Sequence, residues 1–223
     1  MKPVVVMTQT SKIRSDLVEI VHKPFIRIQS LEFDTQILQH SYDWLILSSK
    51  NAVSIFYDYL SLVKIKYIAA IGIKTAKLCE ELGIKVDFVP DDYSQEGLLE
   101  NLNLNNQSIL IPSSAMARPK LEHELSQNNH VRKIDLYKPV ANHKNIVETI
   151  KLIENGKVDA LTFSSSSAVR YYFNEDIPKE FDDYYAIGQQ TANVLNQYGA
   201  IPKIADKQTL ESIINKILES RNI

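Results

Sequence analysis

Cys79 is the only cysteine in 223 residues. That excludes an intramolecular disulfide framework and a thiolate zinc site, and it points to a reducing compartment. Glycine (6) and proline (8) are sparse while hydrophobic residues reach 44%, a composition that excludes a disordered chain. An excess of either charge is also missing: 25 Lys and Arg face 27 Asp and Glu, for a net charge of −2. No bulk positive field collects nucleic acid, and no DNA-reading module is visible. Long apolar runs are absent. Val4-Val5-Val6-Met7 turns polar at Thr8, too short for a signal segment or a membrane span, and reads as a buried first strand. The expectation is a soluble cytoplasmic protein with no membrane and no nucleic-acid partner, long enough for two small domains.

Several chemical fingerprints are missing as well. The sequence holds no GxGxxG, no GxxxxGK[ST] and no GxSxG, so dinucleotide, nucleotide and α/β-hydrolase readings lack their anchors. His22, His40, His123, His130 and His143 lie in polar stretches without metal-ligand spacing, so the sequence predicts neither a metal nor a cofactor. Cys79, beside Leu78 on an apolar helix face, reads as a small core residue, and Trp44 as packing in a buried strand.

What is present is a repeat. DWLILSSKNAV at 43–53 matches DALTFSSSSAV at 159–169, and AIGIKTA at 70–76 matches AIGQQTA at 186–192, all at one offset of 116 with no gap. Two copies at so long a period mean two similar domains, not a solenoid. In each copy an apolar strand leads into a Ser-rich loop and a helix with apolar i, i+3, i+4 spacing. A short strand then ends at Gly72 or Gly188, and the next helix, opened by Thr75 or Thr191, stops at Gly83 or Gly199. A further strand, KVDFV or PKIA, leads to a polar helix start at Ser94 or Thr209. Alternating strand and helix predicts parallel sheets covered on both faces.

The remaining stretches are also alike: VVVMTQ, a helix near 12–22 and FIRIQSL resemble SILIPSS, a helix near 118–127 and VRKIDLY. The simplest arrangement is a discontinuous first lobe, 1–29 plus 142–223, with a second lobe, 33–136, inserted into it. Linker strands near 25–33 and 131–140 would join the two beside a cleft. Ligands of open α/β sheets bind beyond the carboxyl ends of the strands, so the matched loops become candidate site. Ser48-Ser49 and Ser164-Ser165-Ser166 place hydroxyls and free N–H groups at helix starts, which suits carboxylates or phosphates and equally suits plain capping. Gly72 with Thr75 and Gly188 with Thr191 give tight turns whose Thr caps the helix or meets a ligand. Arg118 before Pro119 can reach a cleft or remain solvated. Tyr137 lies in the second linker strand, where packing alone would also account for it.

The stretches DWLILSSKNAV, AAIGIKTAKLCEELGIKVDFVPDDYSQEGLLENL, ILIPSSAMARPKLEHEL, IDLYKPV, VDALTFSSSSAVRYYF and YAIGQQTANVLNQYGAIPKIADKQTLESII, in that order, resemble the uroporphyrinogen-III synthase (HemD) family over nearly the whole chain. The resemblance implies two parallel-sheet α/β lobes on a two-stranded β linker. It implies a cyclising hydro-lyase of tetrapyrrole biosynthesis that takes hydroxymethylbilane to uroporphyrinogen III, without metal or cofactor. It makes Tyr137 the catalytic candidate, assisting departure of the substrate hydroxyl. The candidate substrate contacts are Ser48, Ser49, Gly72, Thr75, Ser94, Ser113, Arg118, Ser164, Ser165, Ser166, Gly188, Gln190 and Thr191. A monomer in transient contact with hydroxymethylbilane synthase is expected. The chain departs from the family pattern at Ile73, Gln189 and Ser166, where the family has Pro, and at Gln9, where it often has a basic residue. The alternative of a different class is a non-catalytic, two-lobed cytoplasmic binding protein for a small polyanion.

Overall fold

The duplicated pattern folds as two sheets. A computed structural model describes residues 2–222. Its elements begin with β1 (Val4–Met7), β2 (Glu19–His22), β3 (Ile26–Ser30), β4 (Ser41–Leu47), α1 (Lys50–Phe56), β5 (Lys64–Ala70), α2 (Ile73–Glu81), α3 (Gln95–Asn101) and β6 (Ser108–Ser114). They continue with α4 (Lys120–Ser126), β7 (His130–Ala141), α5 (His143–Glu154), β8 (Ala160–Phe163), α6 (Ser166–Phe173), β9 (Tyr184–Ala186), α7 (Gln189–Gln197), β10 (Lys203–Ile204) and α8 (Leu210–Ser220). The chain divides into two units: one runs to Arg27 and resumes at Val140, and the other is Ile28–Pro139.

In the first unit the strand order is β10-β9-β8-β1-β2, and every recorded pairing is parallel. Alternation along the strands sends Val6, Leu161 and Phe163 to the face covered by α5, α6 and α7. Val5, Met7 and Ala160 go to the face covered by α8, whose Ile213, Ile214 and Ile217 form one apolar stripe. In the second unit the order is β3-β7-β6-β4-β5, with β4, β5, β6 and β7 parallel. Leu45, Leu47 and Leu110 pack under α1 and α2, whereas Ile46, Ile109 and Ile111 pack under α3 and α4. Burial on both faces explains why these strands read as continuous apolar runs. Each fully buried Leu, Ile or Phe contributes about 1.5–3 kcal/mol.

The helix expected near 12–22 is not there. Ile13, Leu17 and Ile20 have helical spacing, but the Ser15 hydroxyl accepts the Leu17 N–H in a local turn and Leu17 stays exposed. Ser and Asp at 15 and 16 compete with helical backbone bonds, and the β-branched Ile20 and Val21 pair with β1 in β2. KVDFV shrinks to a single bridge from Phe88 to Ala69, because the Asp87 carboxylate takes the Ile68 N–H that a longer ladder would use. Gly83 and Gly199 do end α2 and α7, at φ of 73° and 82°, the left-handed turn glycine allows.

The repeated aspartates, Asp43 within β4 and Asp159 just before β8, fasten neighbouring strands. Asp43 Oδ2 accepts the Ser108 N–H at 3.0 Å and Asp159 Oδ2 accepts the Val4 N–H at 2.8 Å. Each thereby satisfies the first amide of the neighbouring strand, β6 or β1. Asp43→Ala is expected to lower stability by about 1.5–3 kcal/mol, the scale of a hydrogen bond to a charged group. An unchanged urea midpoint would show that this bond contributes nothing.

Candidate functional site

In each sheet the chain reverses its direction of travel between two parallel strands. In the first unit the reversal lies between β1 and β8, and in the second between β6 and β4. Parallel strands put all carboxyl ends at one edge, and the crevice beside such a reversal is where open α/β sheets hold ligands.

In the first unit β8 delivers Ser164 and Ser165, and the Ser165 hydroxyl caps α6 by accepting the Ala168 N–H at 3.3 Å. The Ile187 N–H donates to Phe163 O at 2.9 Å, which draws the Gly188 turn beside this serine loop. Ser164, Ser165, Ser166, Gly188, Gln190 and Thr191 together line a cavity of about 320 Å³. Six of the sequence-predicted residues thus meet at one place. The cavity also takes Ile187 and Gln208, which sequence reasoning missed. Gln208 immediately precedes the Thr209 cap of α8, and a side chain built on Gly188 would stand 3.1 Å from it. Close approach, not an unusual φ, is therefore what Gly188 supplies.

In the second unit β4 delivers Ser48 and Ser49, and Ser49 Oγ accepts the Ala52 N–H of α1 at 3.1 Å. The same oxygen lies 2.8 Å from the Tyr137 hydroxyl. Tyr137 reaches this position through a β-bulge. Along β6 and β7 the register pairs Ser113 with Asp135 but Ser114 with Tyr137, leaving Leu136 extra. Strict alternation would turn Tyr137 away from Ile134 and Leu136. After the bulge all three share the apolar cluster beneath α1, the re-aiming that bulges produce. Nothing in the sequence signals the bulge.

Gly72 and Gly188 occupy the cap positions of α2 and α7, where neither makes a side-chain cap bond. Thr75 and Thr191 are therefore not caps but first-turn residues, 5% and 4% exposed. Ser94 does cap α3, accepting the Gly97 N–H at 2.9 Å, and is itself held by Asp92. Arg118 pairs with Glu96 of α3 at 3.3 Å, as does Lys120 at 3.2 Å. Ser94 and Arg118 are thus joined to α3 and not, by any recorded bond, to Ser48, Ser49 or the Gly72 turn. Ser113 is 2% exposed and its hydroxyl has no partner. Gln9 is likewise buried, with Oε1 unpartnered, while its amide donates to Ser11 O.

The profile described as uroporphyrinogen-III synthase HemD matches residues 9–215. The chain belongs to this family. A porphyrin biosynthesis protein HemD of Ruminiclostridium josui is 29% identical over 232 residues, covering 95% of this chain and 46% of that protein. The chain therefore spans about half the length of that relative. A candidate uroporphyrinogen-III synthase of Methanocaldococcus jannaschii is 31% identical over 202 residues, 82% of each chain. Among solved structures, a uroporphyrinogen-III synthetase from Helicobacter pylori shares the fold, with a TM-score of 0.66 at 20% identity over 99% of this chain and 100% of that one.

Among the described residues of this HemD-family chain no group of three or more His, Cys, Asp and Glu is placed to hold a metal ion, and no helix is long and apolar enough to cross a membrane. Cys79 is fully buried, and burial pushes its thiol up to about 11 from an ordinary 9.0. A raised acid is ionised first in the unfolded chain, so stability holds below pH 9 and declines as pH rises from 9.0 toward about 11. The folded protein should resist iodoacetamide at pH 8 and label stoichiometrically in denaturant, as counted by mass spectrometry. Rapid labelling of the native protein would contradict the burial.

Proposed function

We propose that this HemD-family chain cyclises hydroxymethylbilane to uroporphyrinogen III with loss of water. The observation that carries the reading is the same hydroxyl- and amide-rich helix start beside the strand reversal of both units. Such loops hold carboxylates through N–H and O–H donors without a dense cationic patch, and the substrate is a linear polycarboxylate. Ser48, the Gly72 turn and Thr75 in one unit, with Ser164, Ser165, Ser166, Gly188, Gln190 and Thr191 in the other, are the contacts this reading uses. Lys50 and Lys74 join them: the repeat puts them where the first unit has Ser166 and Gln190, and both are exposed.

Tyr137 gives its proton to the departing hydroxyl of the substrate, which leaves as water. The pyrrole nitrogen supplies the electron pair that makes the azafulvene cation. The substituted carbon of the terminal ring then attacks the freed methylene, and the spiro intermediate opens and recloses with that ring inverted. The proton released on closure returns to the tyrosinate, so the net change is loss of one water. Loops that fix the folded substrate act by proximity and orientation, and this asks for no strongly shifted acid or base. In this reading the protein is a hydro-lyase of the cytoplasm, works as a monomer, and receives its unstable substrate in transient contact with hydroxymethylbilane synthase.

The test is to generate hydroxymethylbilane in situ, add the protein, and separate the oxidised uroporphyrin isomers against a control without protein. The III isomer should dominate. Isomer I alone, from protein shown to be folded, would overturn the reading.

A further inference from the structure

The two units carry an unplanned control for the Tyr137 hydroxyl. Phe25, just beyond β2, sits in the apolar cluster with Ala168, Val169 and Tyr172 of α6 and stacks on Tyr172 at 5.7 Å. Tyr137, in β7, sits in the cluster with Ala52, Val53 and Phe56 of α1. Those three helix positions correspond at the 116-residue offset. β2 flanks β1 in parallel just as β7 flanks β6, and Phe25 and Tyr137 each join the cluster formed by those corresponding helix positions. In the first unit a plain phenyl ring packs on those positions. In both units a serine caps the adjoining helix, Ser165 or Ser49, so the cap also needs no tyrosine. The hydroxyl appears in one unit only, and there it meets the cap serine at 2.8 Å.

We propose that Ser49 is a positioning residue for Tyr137. This deepens the proposed function and rests on its assignment of Tyr137 as proton donor. The bulge between Ser113 and Ser114 turns the ring under α1, and Ser49 fixes where the phenolic oxygen points. One lone pair of Ser49 Oγ is taken by the Ala52 N–H. Its own O–H is then free to donate to the Tyr137 oxygen, which leaves the phenolic proton directed outward to the departing hydroxyl of the substrate. A phenol already held in place needs no reorganisation when the C–O bond breaks.

A double-mutant cycle on the full chain decides this, using steady-state formation of the III isomer from hydroxymethylbilane. Tyr137→Phe should lower kcat about a hundredfold, the low end for a lost general acid. Ser49→Ala should lower kcat about tenfold with KM nearly unchanged, as misplacement of a reacting group does. Adding Ser49→Ala to Tyr137→Phe should cost nothing further. Ser49→Thr, which keeps the hydroxyl, should recover most of the rate. If Ser49→Ala does not fold, Ser49→Gly removes the hydroxyl at a helix start that tolerates Gly better than Ala, and it takes the same place in the cycle. Effects that multiply would make Ser49 independent of Tyr137 and overturn the proposal, as would a Ser49→Ala defect confined to KM. A Tyr137→Phe enzyme with unchanged kcat would instead remove the parent assignment, whatever Ser49 does.

Discussion

A parallel strand cannot be followed by its neighbour through a hairpin, so the chain must cross over the sheet before each new strand. All carboxyl ends therefore gather at one edge, and each helix that begins there presents amide groups with no intrahelical partner. The serines after β4 and β8 answer that requirement by capping α1 and α6. Duplication copied the constraint together with its solution. The same edge that needs capping has the chemistry to hold anions, so one sequence pattern is suited to both.

The copies then diverged in chemistry while keeping their packing. Ser166 and Gln190 line a neutral cavity in one unit, where the repeat gives the other unit Lys50 and Lys74. Phe25 and Tyr137 pack with corresponding residues of α6 and α1, yet only Tyr137 brings a hydroxyl to its cap serine. The shared core explains the repeat, and the edge residues are where the two units differ. With Cys79 buried and its thiol held protonated, the one cysteine belongs to the core half of that division.

Much of this was legible in the sequence because buried parallel strands are apolar throughout and the repeat aligned them without a gap. The serine caps, the glycine stops at Gly83 and Gly199, and five cavity residues could be placed from pattern alone, with Gln190 added by the family resemblance. Three features could not. The stretch at 12–22 has helical spacing but a Ser-Asp turn and β-branched residues that settle as β2. Thr75 and Thr191 look like caps, yet the preceding glycines take that position. The bulge that aims Tyr137 leaves no local signature, since Leu136 and Tyr137 are apolar neighbours in either register. Gln208 was hidden for a related reason: its place in the cavity comes from proximity to Gly188, twenty residues away along the chain.

The central claim is that loop-held shape decides which isomer forms, while the hydroxyl pair decides only how fast. The direct measurement is a single turnover of hydroxymethylbilane on Tyr137→Phe protein in excess, followed by isomer separation. The account predicts that the III isomer still predominates, formed slowly, because the capped loops of both units are intact. A shift to the I isomer from bound substrate would contradict it and transfer the choice of isomer to Tyr137 itself.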